Sequence, residues 1–126
     1  MGERQTSATV SLSVEPIFKV ITLERWRAST GNAHVLPMPV DIADGYLHFS
    51  TRDQLTETLR RHFAGRRDLV LLAVDPALLG TGLTWERSRG GDRFPHLYAP
   101  CPLDAVLWHA PLTPAPDGGF VMPEAF

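Results

Sequence analysis

Hydrophobic and polar positions along the chain fall into short runs of two different periods. Pro16 to Thr22, PIFKVIT, is β-branched and aromatic and predicts a strand. Thr22 is placed to cap a short helix that carries Leu23 and Trp26 on one face and Glu24 at the positive end of its dipole, until Thr30-Gly31-Asn32 ends it. The proline-bearing segment His34 to Ile42 reads as loop. Asp44 to Thr51, DGYLHFST, alternates as a strand does, with Gly45, Leu47 and Phe49 facing one way and Tyr46, His48 and Ser50 the other. Directly after it, Thr51-Arg52-Asp53-Gln54 has the form of a capping box, and Leu55, Leu59 and Phe63 recur at helical spacing before Gly65 closes the helix.

Asp68 to Asp75, DLVLLAVD, is apolar without alternation, as expected of a central strand covered on both faces. Asp75-Pro76 starts a short helical turn ended by Gly80, and Leu83 to Glu86 resumes a strand. Arg87 to Asp92, RSRGGD, is a glycine-bearing loop ahead of Phe94-Pro95-His96-Leu97-Tyr98; Ala105 to Ala110 is another strand, and Phe120 to Met122 a last edge strand. Residues 1–14, polar and aperiodic, are expected to form a loose arm ahead of a single domain spanning 15–126. Strands and helices mix without a repeating βαβ cycle, which predicts an α+β domain.

At 126 residues, with 44% hydrophobic and 21% charged positions, the chain suits one globular unit with a real core. Its net charge of −2 is spread without runs of one sign, which argues against a DNA-binding stripe or a polybasic membrane patch. The first thirteen residues lack the apolar stretch of a signal peptide, and the longest apolar run, Leu69 to Val74, is far too short to span a bilayer. The lone Cys101 excludes an intramolecular disulfide and fits a reducing compartment, so a cytoplasmic protein is expected. Lys19 is the only lysine among 12 basic residues.

Five histidines invite a metal reading, but His34, His48, His62, His96 and His109 show no His-x-His and no helical i, i+4 pair, so no metal site is expected. Helix capping accounts for hydroxyls at the Ser50-Thr51 junction, and Cys101 sits between prolines without an activating base. Trp85 to Tyr98, WERSRGGDRFPHLY, gathers two carboxylates, three arginines, a histidine and a tyrosine around two glycines. Arg87, Arg89 and Arg93 suit an anion such as phosphate; a solvated hairpin loop in which Glu86 pairs with an arginine fits equally. His48 is either a hydrogen-bonded core histidine or part of a cleft wall. Tyr46 and Ser50 share its face at roughly 7 Å spacing, and three polar tips are more cheaply kept wet than buried.

DGYLHFST, His62-Phe63-Ala64-Gly65, Asp68-Leu69-Val70-Leu71-Leu72, Trp85-Glu86 and Phe94-Pro95-His96-Leu97-Tyr98, taken in this order, resemble the bacterial domain-of-unknown-function 952 family over about residues 16 to 112. The resemblance implies an ADP-ribosyltransferase-like fold: a split β core of two small, mainly antiparallel sheets with a few short helices and a cleft for NAD or a related nucleotide. It implies His48, Glu86 and His96 as the catalytic set, with Glu86 near the ribose stabilising an oxocarbenium-like transition state. Tyr46, Ser50, Thr51, Arg87, Arg89 and Tyr98 would hold an anionic or nucleotide ligand. In the branch related to RNA 2′-phosphotransferases, His48, His96, Arg87 and Arg89 would be the working set. The first strand offers Lys19 where many ADP-ribosyltransferases carry histidine or arginine. Two functions follow as expectations: a nucleotide- or NAD-binding transferase-like enzyme, or a catalytically silent ligand-binding or protein-interaction module on the same fold.

Overall fold

The computed structural model describes residues 15–126, so the expected arm at 1–14 lies outside the described residues. The β-branched run forms β1 (Ile17–Thr22), and Thr22 accepts the Arg25 amide to start α1 (Leu23–Ser29), whose Trp26 is buried while Leu23 stays exposed. β3 (Leu69–Val74) is buried at every residue because it is the middle strand of the antiparallel order β1-β3-β6, with β6 at Val106–Pro111. Strand alternation sends Ile17, Ile21, Val70, Leu72 and Val74 into one apolar cluster and Phe18, Val20, Leu69, Leu71 and Ala73 into a second on the other face.

The segment His34 to Ile42, expected as loop, enters a helix instead: α2 spans Pro39–Asp44. Proline suits the first turn, the Asp41 carboxylate takes the Met38 amide at 2.7 Å, and Gly45 terminates the helix at φ 86. The start of DGYLHFST therefore belongs to a helix end, and only Leu47–His48 form the strand β2. Phe49 and Leu47 are buried as the alternation requires. α3 (Arg52–His62) follows, with Thr51 and Gln54 exchanging the two bonds of the capping box and Leu55 and Leu59 facing the core.

A second antiparallel sheet has the order β2-β5-β4, with β4 at Leu83–Arg87 and β5 at Arg93–Leu97. The two join through a 3-10 turn, Arg89–Gly91, where Gly90 and Gly91 both have positive φ. A small hairpin of β7 (Thr113–Pro114) and β8 (Phe120–Val121) completes the strands, and Phe120, Met122 and Phe126 pack over the second apolar cluster. The two three-stranded sheets meet where Phe18 and Ser50 exchange backbone hydrogen bonds, each 2.8 Å. The architecture is α+β with mainly antiparallel sheets and few, short helices. No helix among the described residues is long and apolar enough to cross a membrane.

Candidate functional site

Register decides which side chains meet. His48 is the direct cross-strand partner of His96, and Thr84 is the partner of His96 on the other side. Directly paired residues share a face, so Thr84, Glu86, Phe94, His96 and His48 stand on one side of the second sheet, while Leu47, Leu83 and Leu97 turn to the core. Tyr46 lies against this face: its ring is stacked on His96 at 4.1 Å between centroids, and it also touches His48 at 4.6 Å and Tyr98 at 5.1 Å.

In front of these rings lies a cleft of about 800 Å³, bounded by β1, α2, α3 and the turn between β4 and β5. Tyr46, His48, Ser50 and His96 line it, together with Lys19, Asp41, Asp44, Thr58 and aromatic positions Phe18, Phe49, Phe63 and Phe94. Its size falls in the range of small-ligand pockets, roughly 300–1,000 Å³. Ser50 Oγ lies 2.9 Å from Thr58 Oγ1, so α3 positions the hydroxyl.

His48 is held from both ends. Its Nδ1 lies 2.7 Å from Asp41 Oδ1 and its Nε2 2.9 Å from Asp44 Oδ2. Asp41 is 2% exposed and also meets the buried Lys19 ammonium at 2.8 Å, while Lys19 donates to the His48 carbonyl at 3.0 Å. Burial alone would raise the Asp41 carboxyl; the His48 hydrogen bond, the Lys19 charge and the Met38 amide outweigh it and hold it at about 2. Burial pulls Lys19 below the usual lysine value against the opposing pull of Asp41.

Glu86 stands on the same face, one cross-strand pair along from His96. Its Oε1 accepts from Tyr98 Oη and from His96 Nδ1, each at 2.7 Å, and those two bonds lower its pKa. The same bond, with the nearby negative charge, pushes the Tyr98 phenol up to about 12.

The expected residues thus separate. Tyr46, His48, Ser50 and His96 come together at the cleft, whereas Glu86 reaches it only through His96, and Tyr98 instead borders a shallower hollow with Ile42, Gly45 and Leu97. The Thr51 hydroxyl is occupied in the α3 cap. Arg87 turns back to the Gly91 carbonyl at 2.8 Å, Arg89 opens the 3-10 turn, and Arg93 is exposed. The remaining histidines disperse: His34 bridges to Pro102, His109 packs on Trp26 at 4.7 Å, and His62 lines the cleft. Among the described residues no group of three or more His, Cys, Asp and Glu side chains is arranged to hold a metal ion. Cys101 is fully buried, and burial raises its thiol to about 11.

Asp41 was hidden in the segment that reads as loop, and Asp44 at the head of the stretch that reads as strand. Only Pro39 followed by an acid two residues later signals the helix, and nothing local links Asp41 to Lys19 or His48.

The chain belongs to the family described as "Protein of unknown function (DUF952)", whose model matches residues 20–109. It is similar to the crystal structure of protein CC0527 from Caulobacter crescentus, at 40% identity and a TM-score of 0.80, covering 84% of this chain and 93% of that one. The solution NMR structure of CC0527 gives 41% identity and a TM-score of 0.74 over 82% of this chain and 90% of that one. No curated protein matches the chain.

Proposed function

We propose that the cleft binds a nucleotide or NAD-type ligand on an ADP-ribosyltransferase-like split β core. The carrying observation is the convergence of Tyr46, His48, Ser50 and His96 on one cleft of about 800 Å³ where the two small antiparallel sheets meet. A planar base or nicotinamide has aromatic surface to lie against, and the histidine and hydroxyl tips supply orienting hydrogen bonds. Asp44, 2.9 Å from His48 Nε2, adds an exposed carboxylate to the His48 wall, while the charge of Asp41 is compensated by Lys19.

A second reading, a module that binds without transferring, is favoured by one specific arrangement. Glu86, the carboxylate suited to an oxocarbenium-like transition state, is engaged by His96 and Tyr98 and does not border the cleft.

A thermal-shift series with NAD, ADP-ribose and nucleoside diphosphates tests both. A ligand at a hundred times its Kd adds roughly 2.7 kcal/mol to the folded state. The wild type is expected to shift by several degrees, with the shift reduced in His48→Ala. Nicotinamide release from NAD marks the enzyme, and a shift without release marks the binding module. No shift with any nucleotide removes both readings in favour of a protein-interaction role.

A further inference from the structure

His96 is 5% exposed, yet it lines the cleft. One ring nitrogen is accounted for: Nδ1 stands 2.7 Å from Glu86 Oε1. Glu86 also receives the Tyr98 hydroxyl proton on the same oxygen, the pattern of an ionised carboxylate that accepts twice. An accepting carboxylate places the imidazole hydrogen on Nδ1, and in the neutral ring Nε2 then carries a bare lone pair. No described residue forms a hydrogen bond to that nitrogen. Tyr46, stacked on the ring at 4.1 Å and 27°, fixes its plane. His96 lines the cleft and Glu86 does not, and the two are joined through Nδ1.

A nine-tenths buried acceptor without a partner is costly unless something donates to it, by about 1–3 kcal/mol. We propose that His96 Nε2 is a hydrogen-bond acceptor for a hydroxyl group of the bound ligand, and that Glu86 is a positioning residue that sets the His96 tautomer for this contact. The inference rests on reading the cleft as a nucleotide site and specifies what it recognises: a ligand whose sugar keeps its hydroxyls. His48, whose two ring nitrogens already face Asp41 and Asp44, does not offer the same opening.

The test uses the full chain labelled with ¹⁵N and long-range ¹H–¹⁵N correlation of the histidine rings at neutral pH, with ADP and 2′,3′-dideoxy-ADP as probes. In the free protein His96 Nδ1 is expected in the protonated range and Nε2 in the unprotonated range. ADP is expected to move the Nε2 resonance, and the dideoxy compound to bind at least about tenfold more weakly without moving it. Glu86→Ala is expected to mix the two tautomers and lower ADP affinity several-fold while leaving the weak dideoxy binding unchanged, a difference that a purely structural loss would not produce. Its far-UV spectrum and melting confirm that it folds, and Tyr98→Phe, which leaves the His96 bond to Glu86 in place, is expected to retain the wild-type tautomer. A proton on Nε2 in the wild type overturns the assignment. Equal binding of the two nucleotides overturns it while leaving the nucleotide reading intact, and binding of neither overturns both.

Discussion

Asp41 Oδ1 takes two hydrogen bonds from one residue, the backbone amide of His48 at 3.0 Å and its ring Nδ1 at 2.7 Å, while Oδ2 meets the Lys19 ammonium at 2.8 Å. A single buried carboxylate therefore ties α2 to β2 and to β1, and it sets the imidazole in place at the cleft. Lys19 and Asp41 are both nearly sealed from solvent, so neither charge tolerates loss of the other.

Removing the carboxylate leaves an uncompensated buried ammonium. Asp41→Ala is expected to lower stability by about 3–5 kcal/mol in urea unfolding. Lys19→Met combined with Asp41→Asn, which removes both charges, is expected to fall well short of the Asp41→Ala loss. If the double variant is as unstable as Asp41→Ala, the ion pair is not what holds the three elements together.

The same residue predicts an acid transition. The Asp41 carboxyl lies at about 2 in the folded protein against 3.8 as its ordinary value. A depressed carboxyl contributes stability that is complete above the unfolded value and is lost as pH falls through the folded one. About 2 kcal/mol should therefore disappear between pH 4 and pH 2. Urea midpoints measured across that window should slope for the wild type and be flatter for Asp41→Asn.

Thr51 separates capping from ligand binding. Its hydroxyl accepts from the Gln54 backbone amide, and Gln54 Oε1 accepts in turn from the Thr51 backbone amide at 3.0 Å. Thr51→Ala is expected to lower stability by about 1 kcal/mol. The thermal shift produced by a saturating nucleotide should stay at its wild-type size, and a lost shift would make the hydroxyl a ligand contact.

Tyr98 reports on Glu86 directly. The hydrogen bond to the carboxylate pushes the phenol up to about 12, since ionising it would set a second negative charge against the first. In an alkaline absorbance titration with Tyr46→Phe as background, the remaining tyrosine should titrate above the ordinary phenol value of 10.0. Adding Glu86→Gln should bring it down toward that value. An unchanged titration would mean that the bond does not form in solution.

Several elements were legible because each rests on contacts close in sequence. β1, the capped α3 and the sealed β3 follow from β-branching, the Thr51 to Gln54 exchange, and six consecutive buried apolar residues. Within DGYLHFST, Leu47 and Phe49 are buried and Tyr46, His48 and Ser50 line the cleft, which Phe49 borders too, whereas Gly45, expected on the core face, is exposed at the end of α2. The same stretch also misled, because Asp44 and Gly45 end a helix that the prolines upstream disguise as loop. The Arg87 to Asp92 loop gathers positive charge in the sequence, but in space Arg87 bonds its own loop.

By itself the sequence determined the local periods: where side chains alternate, where a helix can be capped, and which stretch must be buried on both faces. Tertiary structure alone decided the partners. Asp41 reaches Lys19 across 22 positions and His48 across seven, and Glu86 reaches His96 across ten, because strand register and a helix packed over it bring them within hydrogen-bond range. Propensity acts on neighbours in the chain, whereas a buried charge must find its counter-charge wherever the fold delivers one.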